Sequence, residues 1–284
     1  MLGVECIDNF AVANEKQVIG LTISMRVSSF FMPFFALFAG ASGYYLRSME
    51  LRTVFDAHTG LPQRGAVVTY ALIGLSAVFL CIILIFTLCA RAKFASPSGF
   101  VNAFGTEPLA YPSIFFLIGI VWLGATVLYF LNIYTQGSIQ LSELCFSILS
   151  ALSAISVSLF AIEVYQNPRR KSKYALSIVP TIFMCFWLIL LYRQNASNPI
   201  LLSYCYQCLA IISSALGFYF TSGFIYNRPA PGKTIFSFFA AIYFCLVALA
   251  DEHTMSIKFI FIAIIVINVI YSSMLIRNMV RKDY

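Results

Sequence analysis

Eight apolar stretches, each about long enough to cross a membrane as a helix, dominate this chain. A helix crosses the hydrocarbon core of a bilayer with roughly 20 mostly apolar residues. The predicted spans are 27–46, 66–90, 111–131, 139–165, 174–192, 200–226, 234–250 and 257–276. Backbone amides in lipid must be hydrogen-bonded within their own segment, which favours helices. The sequence therefore predicts an all-α, polytopic membrane bundle that forms one domain over residues 1–284.

The composition excludes an ordinary soluble domain. Hydrophobic residues make up 61% of the chain and charged residues 10%, whereas soluble domains carry about 25% charged residues. Lipid is therefore the predicted solvent for most of the surface, and the bilayer is the first expected partner. The net charge of +7 lies in short loops beside apolar segments. That pattern is typical of membrane orientation, so no nucleic-acid partner is expected.

The basic residues sort by predicted side of the membrane. The side that holds both termini carries Lys16, Arg26, Arg91, Lys93, Arg169, Arg170, Lys171, Lys173, Arg228, Lys233, Arg277, Arg281 and Lys282. The other side carries Arg47, Arg52, Arg64, Arg193 and Lys258. Cytoplasmic loops are enriched in Lys and Arg. Both termini are therefore predicted to be cytoplasmic.

The first outer loop, 47–65, differs from the other loops by its length and its charges. Its first part, 50–55, is able to extend the first helix beyond the membrane. Arg26, Arg47 and Arg193 flank spans, and their long side chains are able to snorkel to the headgroup region.

Small residues at four-residue spacing predict close helix packing in two spans. They are Ala36 with Gly40 and Ala39 with Gly43 in the first span, and Ser150, Ala154 and Ser158 in the fourth. Such residues share one helix face and let a neighbouring helix approach closely. A water-lined path along the serines is the alternative interpretation.

Neutral polar side chains are predicted in the membrane interior. They are Asn268, Gln207, Ser213 and Ser214. Interhelical hydrogen bonding is the usual role of such groups, and a solute-binding site is the alternative. The predicted middle of the bundle holds almost no ionisable group, which argues against a pump that uses buried carboxylates there.

The two histidines of the chain share a context. Asp56 and His58 lie in the first predicted outer loop, and Asp251, Glu252 and His253 lie in the last. Two imidazoles with nearby carboxylates are able to bind a divalent metal, or to form a titrating cluster that responds to external acidity. A shared site requires the first and last helices to be neighbours. The alternative is that loop tips simply carry polar residues.

The sequence leaves the molecular function open. Phosphate-binding, dinucleotide-binding, zinc-protease and serine-hydrolase motifs are missing from it, and the cofactor is unknown. A small-solute transporter or the membrane subunit of a larger complex is the favoured hypothesis, with other membrane subunits or a cytoplasmic protein as open partners. An outward-facing sensor or a metal- or proton-binding protein is the alternative. An intramembrane enzyme ranks last, because no nucleophile and base pair is visible. The expected location is a bacterial plasma membrane.

Overall fold

The part of the chain that the structure describes contains eight membrane-length helices. A computed structural model describes residues 29–55, 62–63, 65–95, 97, 99–105, 110–137, 140–166, 174–196 and 200–281. Within these ranges the long apolar helices are α1 (Ser29–Thr53), α2 (Val67–Lys93), α4 (Ala110–Thr135), α5 (Leu141–Gln166), α6 (Val179–Gln194), α7 (Cys205–Ile225), α8 (Pro231–Ala248) and α9 (Met255–Arg277). A short helix, α3 (Phe100–Phe104), lies between α2 and α4. The predicted all-α polytopic bundle is confirmed.

Short irregular elements adjust the helix ends. The 3₁₀ turns Tyr174–Ile178 and Leu201–Ser203 lead into α6 and α7. Pro180 falls in the first turn of α6, where its missing N–H costs no helical hydrogen bond. Strand β1 (Phe94–Ala95) pairs antiparallel with β2 (Val280–Arg281). This pair joins the segment after α2 to the segment after α9.

The helix boundaries agree with the predicted spans to within a few residues, with one larger difference. α1 continues past its predicted end at Leu46 to Thr53. The extension of the first helix into the outer loop is therefore confirmed. Just beyond α1, the Val54 C=O accepts a hydrogen bond from the Gln63 N–H at 2.9 Å. The long α1 carries the charged residues Arg47, Glu50 and Arg52 to the end of the bundle.

The last two spans form the centre of the bundle. α8 and α9 are the most buried of the spans in the described residues. α8 packs against α7, α9 and α2, and α9 also packs against α4. The α2–α8 contact includes a Phe79–Tyr243 ring pair with centroids 4.6 Å apart and a Ser76–Tyr243 hydroxyl hydrogen bond of 2.8 Å. Aromatic stacking and one satisfied polar pair therefore join these two helices.

The small residues of α1 let it lie directly on α8. A Cβ atom added at Gly40 would lie 2.5 Å from Leu246 Cδ1, and one at Gly43 would lie 2.7 Å from Val247 Cγ2. Larger side chains at these positions would push the helices apart. The packing predicted from the Ala36–Gly43 pattern is confirmed, and its partner is α8.

The serines of α5 are packing residues too. Ser150 is fully buried and accepts a hydrogen bond from Trp122 Nε1 at 3.0 Å. Its hydroxyl also lies 2.8 Å from that of Thr126 on α4. Ser158 Oγ occupies the space beside Gly119, where α4 has no side chain. Close α4–α5 packing, rather than a water-lined path, therefore explains the small-residue pattern.

Residues predicted on one side of the membrane meet at one end of the bundle. Arg193 donates to Gln140 at what we call the outer end, and the β1–β2 pair lies at what we call the cytoplasmic end. The names follow the basic-residue count, so which end faces the cytoplasm stays a prediction. Several residues of that count lie outside the described residues: Lys16, Arg26, Arg64, Arg169, Arg170, Lys171, Lys173 and Lys282.

Candidate functional site

A buried ionic contact joins α1 to the turn between α8 and α9. Arg47 Nε donates to Asp251 Oδ1 at 2.7 Å, and Arg47 Nη1 donates to Glu50 Oε2 at 2.7 Å. Arg47 and Glu50 are 0% exposed and Asp251 is 6% exposed. We call these three residues the outer ion cluster. The guanidinium of Arg47 does not extend into solvent, because the two carboxylates hold it inside the protein.

Local structure aims the three side chains at one another. Arg47 and Glu50 are three residues apart on α1, so they share a helix face. Asp251 follows the end of α8, where its N–H donates to Ala248 C=O at 3.1 Å. The close packing of α1 on α8 through Gly43 brings these two ends together. The geometry of the cluster therefore follows from the helix contact below it.

The segment before α7 completes the surroundings of Arg47. Its Nη2 donates to the carbonyl oxygens of Leu202 and Ser203, both at 3.1 Å. These carbonyls belong to the 3₁₀ turn, whose last acceptors have no partner within the turn itself. The Tyr206 ring centroid lies 5.2 Å from Arg47 Cζ, within range of a cation–π contact. One guanidinium thus connects three parts of the chain.

The charges of the outer ion cluster do not balance. Two carboxylates face one guanidinium, so the fully ionised cluster carries one excess negative charge. Glu50 Oε1 and Asp251 Oδ2 are buried and have no hydrogen-bond partner among the described residues. A buried charge is costly unless it is paired and hydrogen-bonded. The cluster therefore has a strong tendency to take up one positive charge.

Asp251 is the group of this cluster whose protonation responds near neutral pH. Burial raises its pKa from 3.8 to about 6; the Arg47 charge and hydrogen bond act in the opposite direction, and the Glu50 charge adds to the rise. Desolvation disfavours the ionised carboxylate, and a like charge does the same. Asp251 is therefore ionised at pH 7 and becomes protonated under mild acid.

His253, two residues further on, is held in its neutral form. Burial and the charge of Lys258 lower its pKa to about 4, against a weaker opposing effect of a hydrogen bond with the Ala248 backbone. Its ring lies 5.7 Å from that of Phe261, and its Nε2 has no hydrogen-bond partner among the described residues. His253 therefore packs as an aromatic ring beneath the outer ion cluster.

The predicted metal site stays a prediction. Asp56 and His58 lie outside the described residues. Of the other three candidates, Asp251 binds Arg47, Glu252 is exposed, and His253 packs against Phe261. The described part of the chain contains no group of three or more His, Cys, Asp or Glu side chains placed to hold a metal ion.

The polar residues predicted in the interior are all buried, and three of them bond mainly within their own helices. Ser213 donates to Leu209 C=O and Ser214 to Ala210 C=O, at 2.7 and 2.6 Å. Asn268 donates to Ile264 C=O at 2.8 Å, and its Oδ1 has no partner among the described residues. Gln207 is also buried. Their role in binding a solute remains a prediction.

Sequence reasoning identified Asp251 and His253 but missed Arg47 and Glu50 as their neighbours. The separation of Arg47 and Asp251 is 204 residues, and no local pattern links such distant positions. One signal was present, because an Arg and a Glu at helical spacing directly follow a membrane span. The Gly40 and Gly43 pattern predicted a close helix neighbour without showing which helix it was.

Comparison with protein-family models, curated proteins and solved structures finds no match for this chain. The eight apolar helices identify it as a multi-pass membrane protein in contact with a lipid bilayer. Any finer function has to rest on the chemistry of its own residues.

Proposed function

We propose that this protein responds to acidity at the outer end of the bundle, with the outer ion cluster as its proton-binding element. The observation that carries the proposal is a buried cluster of two carboxylates and one guanidinium, in which one oxygen of each carboxylate has no hydrogen-bond partner among the described residues. A buried site of this composition gains electrostatic stability when it binds one proton.

Protonation changes how firmly the cluster holds two parts of the chain together. One proton from the outer solution binds the Asp251 carboxylate, which loses its charge, and the Arg47–Glu50 pair that remains is neutral. A carboxylate exposed in an opened turn would have its ordinary, lower pKa, so the proton binds the closed state more tightly. Acid therefore stabilises the closed contact between α1 and the turn between α8 and α9. A local proton-binding event thus becomes a change in how two helix ends are held.

Two charged groups act on this carboxylate and set its response. They are Arg47 and Glu50, both on α1, and Cys205 of α7 lies within electrostatic range of the same carboxylate. Arg47 is the positively charged group in direct contact. Its position between two acids supports a site that exchanges one proton while the rest of the cluster stays ionised.

Small-solute transport has weaker support. That hypothesis depends on Asn268, Gln207, Ser213 and Ser214, and the serine hydroxyls donate to carbonyls of their own helix. Hydrogen bonds of this kind satisfy a hydroxyl without any solute. The ion cluster, in contrast, contains unpartnered acceptors. The proton-responsive interpretation therefore comes first.

Hydrogen-exchange mass spectrometry of the purified chain in lipid nanodiscs tests the proposal. Protection factors, corrected for the intrinsic pH dependence of exchange, are measured for segments 47–55 and 249–256 between about pH 5 and pH 8. In the His253→Gln variant, which lacks the opposing histidine, we expect both segments to gain protection as pH falls through about 6, because Asp251 binds its proton more tightly when buried than when exposed. Adding Asp251→Asn to this variant should remove the pH dependence.

Glu252→Gln provides the matched control. Glu252 is exposed and adjacent in sequence to Asp251, so this variant removes an acid from the same turn without touching the cluster. Added to His253→Gln, it should leave the pH profile of that variant unchanged. Protection of His253→Gln that is independent of pH, or a pH profile that Asp251→Asn does not alter, would exclude Asp251 as the responsive group.

A further inference from the structure

A cavity with an apolar wall and a basic rim lies at the cytoplasmic end, between α2, α7 and α8. Its volume is about 480 Å³, and its lining includes Arg91 of α2 and Lys233 of α8. The wall that extends toward the membrane centre consists of Leu84, Leu88, Leu216, Phe220 and Phe236. We call it the α2–α8 cavity. It is separate from the outer ion cluster, and the proposed response to acidity does not use it.

The wall of the α2–α8 cavity opens toward lipid. Leu88 is 56% exposed, Leu84 is 48% exposed and Leu216 is 43% exposed. In a membrane-spanning bundle, side chains exposed at this depth are in contact with acyl chains. The cavity is therefore a continuation of the hydrocarbon region into the protein, and its natural occupant is apolar along most of its length.

The rim of the cavity is positively charged. Lys233 Nζ lies 5.9 Å from the Phe220 ring centroid, over the cavity wall. Arg91 packs beside the first turn of α8, since a Cβ added at Gly232 would lie 3.8 Å from both Arg91 Cβ and Cδ. The residues that line the cavity include no Asp or Glu. Two cations over an apolar wall are complementary to an anionic headgroup above an acyl chain.

The start of α8 adds to this positive potential. α8 begins at Pro231, and no side chain caps its N-terminus. The first N–H groups of a helix have no acceptor within the helix, and the helix dipole makes this end positive. Gly232 and Lys233 of this turn line the cavity. An oxyanion held between the two cations would also meet the positive end of the helix.

A second cavity extends the basic rim. It has a volume of about 590 Å³, shares Phe220 and Ala230 with the first, and includes Arg228. Arg228 lies in the turn before α8, and its N–H donates to Gly223 C=O at 2.8 Å. The residue before it, Asn227, has a φ of 55°. The buried Thr181 hydroxyl in this second lining has no partner among the described residues. The two cavities thus flank Phe220 with basic residues on both sides.

We infer that the α2–α8 cavity is a binding site for an anionic phospholipid. The phosphate binds between Arg91 and Lys233, and an acyl chain lies along Leu84, Leu88 and Leu216. Basic pockets between membrane helices at the cytoplasmic face have the charge and shape that such lipids require. The two cations select an anionic headgroup, and the apolar wall selects a lipid over a soluble anion.

Native mass spectrometry of the purified full-length chain tests this inference. The protein is released from detergent in the presence of phosphatidylglycerol, phosphatidylcholine or glycerol 3-phosphate, and bound ligand is counted. We expect retention of phosphatidylglycerol well above both others. Each cation near an anionic lipid contributes about fivefold in affinity, so Arg91→Gln with Lys233→Gln should weaken binding about thirtyfold.

The double variant Arg52→Gln with Arg193→Gln is the matched control. It removes the same number of exposed charges at the outer end, and it should bind phosphatidylglycerol as the wild type does. The salt dependence of wild-type binding gives a measure of the same contacts without any variant, and affinity should fall as salt rises. Binding that is insensitive both to salt and to the loss of Arg91 and Lys233 would overturn the inference.

A second pair of variants tests the acyl chain. Leu216→Trp places a large side chain in the α2–α8 cavity. Leu209→Trp adds the same bulk on the same face of α7, at a residue that is also exposed but does not line the cavity. We expect Leu216→Trp alone to reduce phosphatidylglycerol binding. If glycerol 3-phosphate binds as well as phosphatidylglycerol, or if both variants bind lipid equally, the site is not a lipid site.

Discussion

The two ends of the bundle use charge in opposite ways. At the outer end, the charged side chains of Arg47, Glu50 and Asp251 are buried and form ion pairs with one another. At the cytoplasmic end, Arg91 and Lys233 are exposed at the surface. Buried charges depend on their partners for stability, whereas exposed ones are already stabilised by water.

This difference decides what a charge can do at each end. A buried cluster contributes to the fold, so a change in its protonation changes how helices are held. An exposed cation contributes little to the fold, so its loss should affect ligand binding more than stability. Substitutions in the outer ion cluster should therefore alter stability, and substitutions of Arg91 and Lys233 should alter binding.

Loss of the central cation should have the largest effect. Arg47→Gln leaves two buried carboxylates without a counter-ion, and we expect a loss of about 3–5 kcal/mol in the free energy of unfolding. Unfolding in mixed micelles with increasing SDS measures it. The loss should shrink in mild acid, because a protonated Asp251 needs no counter-ion.

Arg52→Gln is the control for this substitution. Arg52 lies on the same helix but is exposed, so its loss should change stability by less than about 0.5 kcal/mol. Equal effects of the two substitutions would mean that burial does not distinguish them, and the contrast between the two ends would fail.

The pH dependence of stability should reveal two opposing groups. Asp251, with a pKa raised to about 6, binds its proton more tightly in the native state than in the unfolded chain, so its contribution to stability falls as pH rises from 4 to 6. His253, with a pKa lowered from 6.5 to about 4, binds its proton less tightly in the native state, so its contribution rises with pH. Each contribution is about 3 kcal/mol. The wild type should therefore show a nearly flat profile in this window.

Single substitutions should separate the two contributions. Asp251→Asn leaves His253, so stability should rise by about 3 kcal/mol from pH 4 to 6.5. His253→Gln leaves Asp251, so stability should fall by a similar amount from pH 4 to 6. SDS unfolding at a series of pH values measures both. Slopes of the same sign in the two variants would contradict the assignment.

The packing below the outer ion cluster should tolerate less bulk than the lipid-facing surface. Gly43→Val places a side chain against Val247 and Tyr243, and we expect a loss of about 1–3 kcal/mol from overpacking. Gly74→Val is the control, since a Cβ at Gly74 meets nothing within 4 Å. Thermal unfolding in detergent compares the two. A smaller loss at Gly43 than at Gly74 would show that α1 does not depend on close contact with α8.

The smallest stability effect is expected at the cytoplasmic end. Arg91→Gln with Lys233→Gln should change the free energy of unfolding by less than about 1 kcal/mol in lipid-free detergent, because both side chains are exposed. The same SDS titration measures it. A loss as large as that of Arg47→Gln would show that these cations support the fold itself.

Hydropathy and small-residue spacing were sufficient to predict the eight spans and the close packing of α1 and α5. They were not sufficient for the outer ion cluster. The burial of Arg47 depends on Asp251, which is distant in sequence, and on the carbonyls of Leu202 and Ser203. A residue next to a span is expected to reach water, and only the three-dimensional neighbours show that this one does not.

The order of the helices along the chain has a consequence for biogenesis. Arg47 enters the membrane region with α1, yet Asp251 is made 204 residues later. At a ribosomal rate of about 5–20 residues per second, the interval is roughly 10–40 s. During that time α1 has neither α8 to pack against nor its second acid. Early insertion therefore depends on Glu50 alone as a counter-ion, or on the insertion machinery shielding a helix whose final neighbour has yet to be translated.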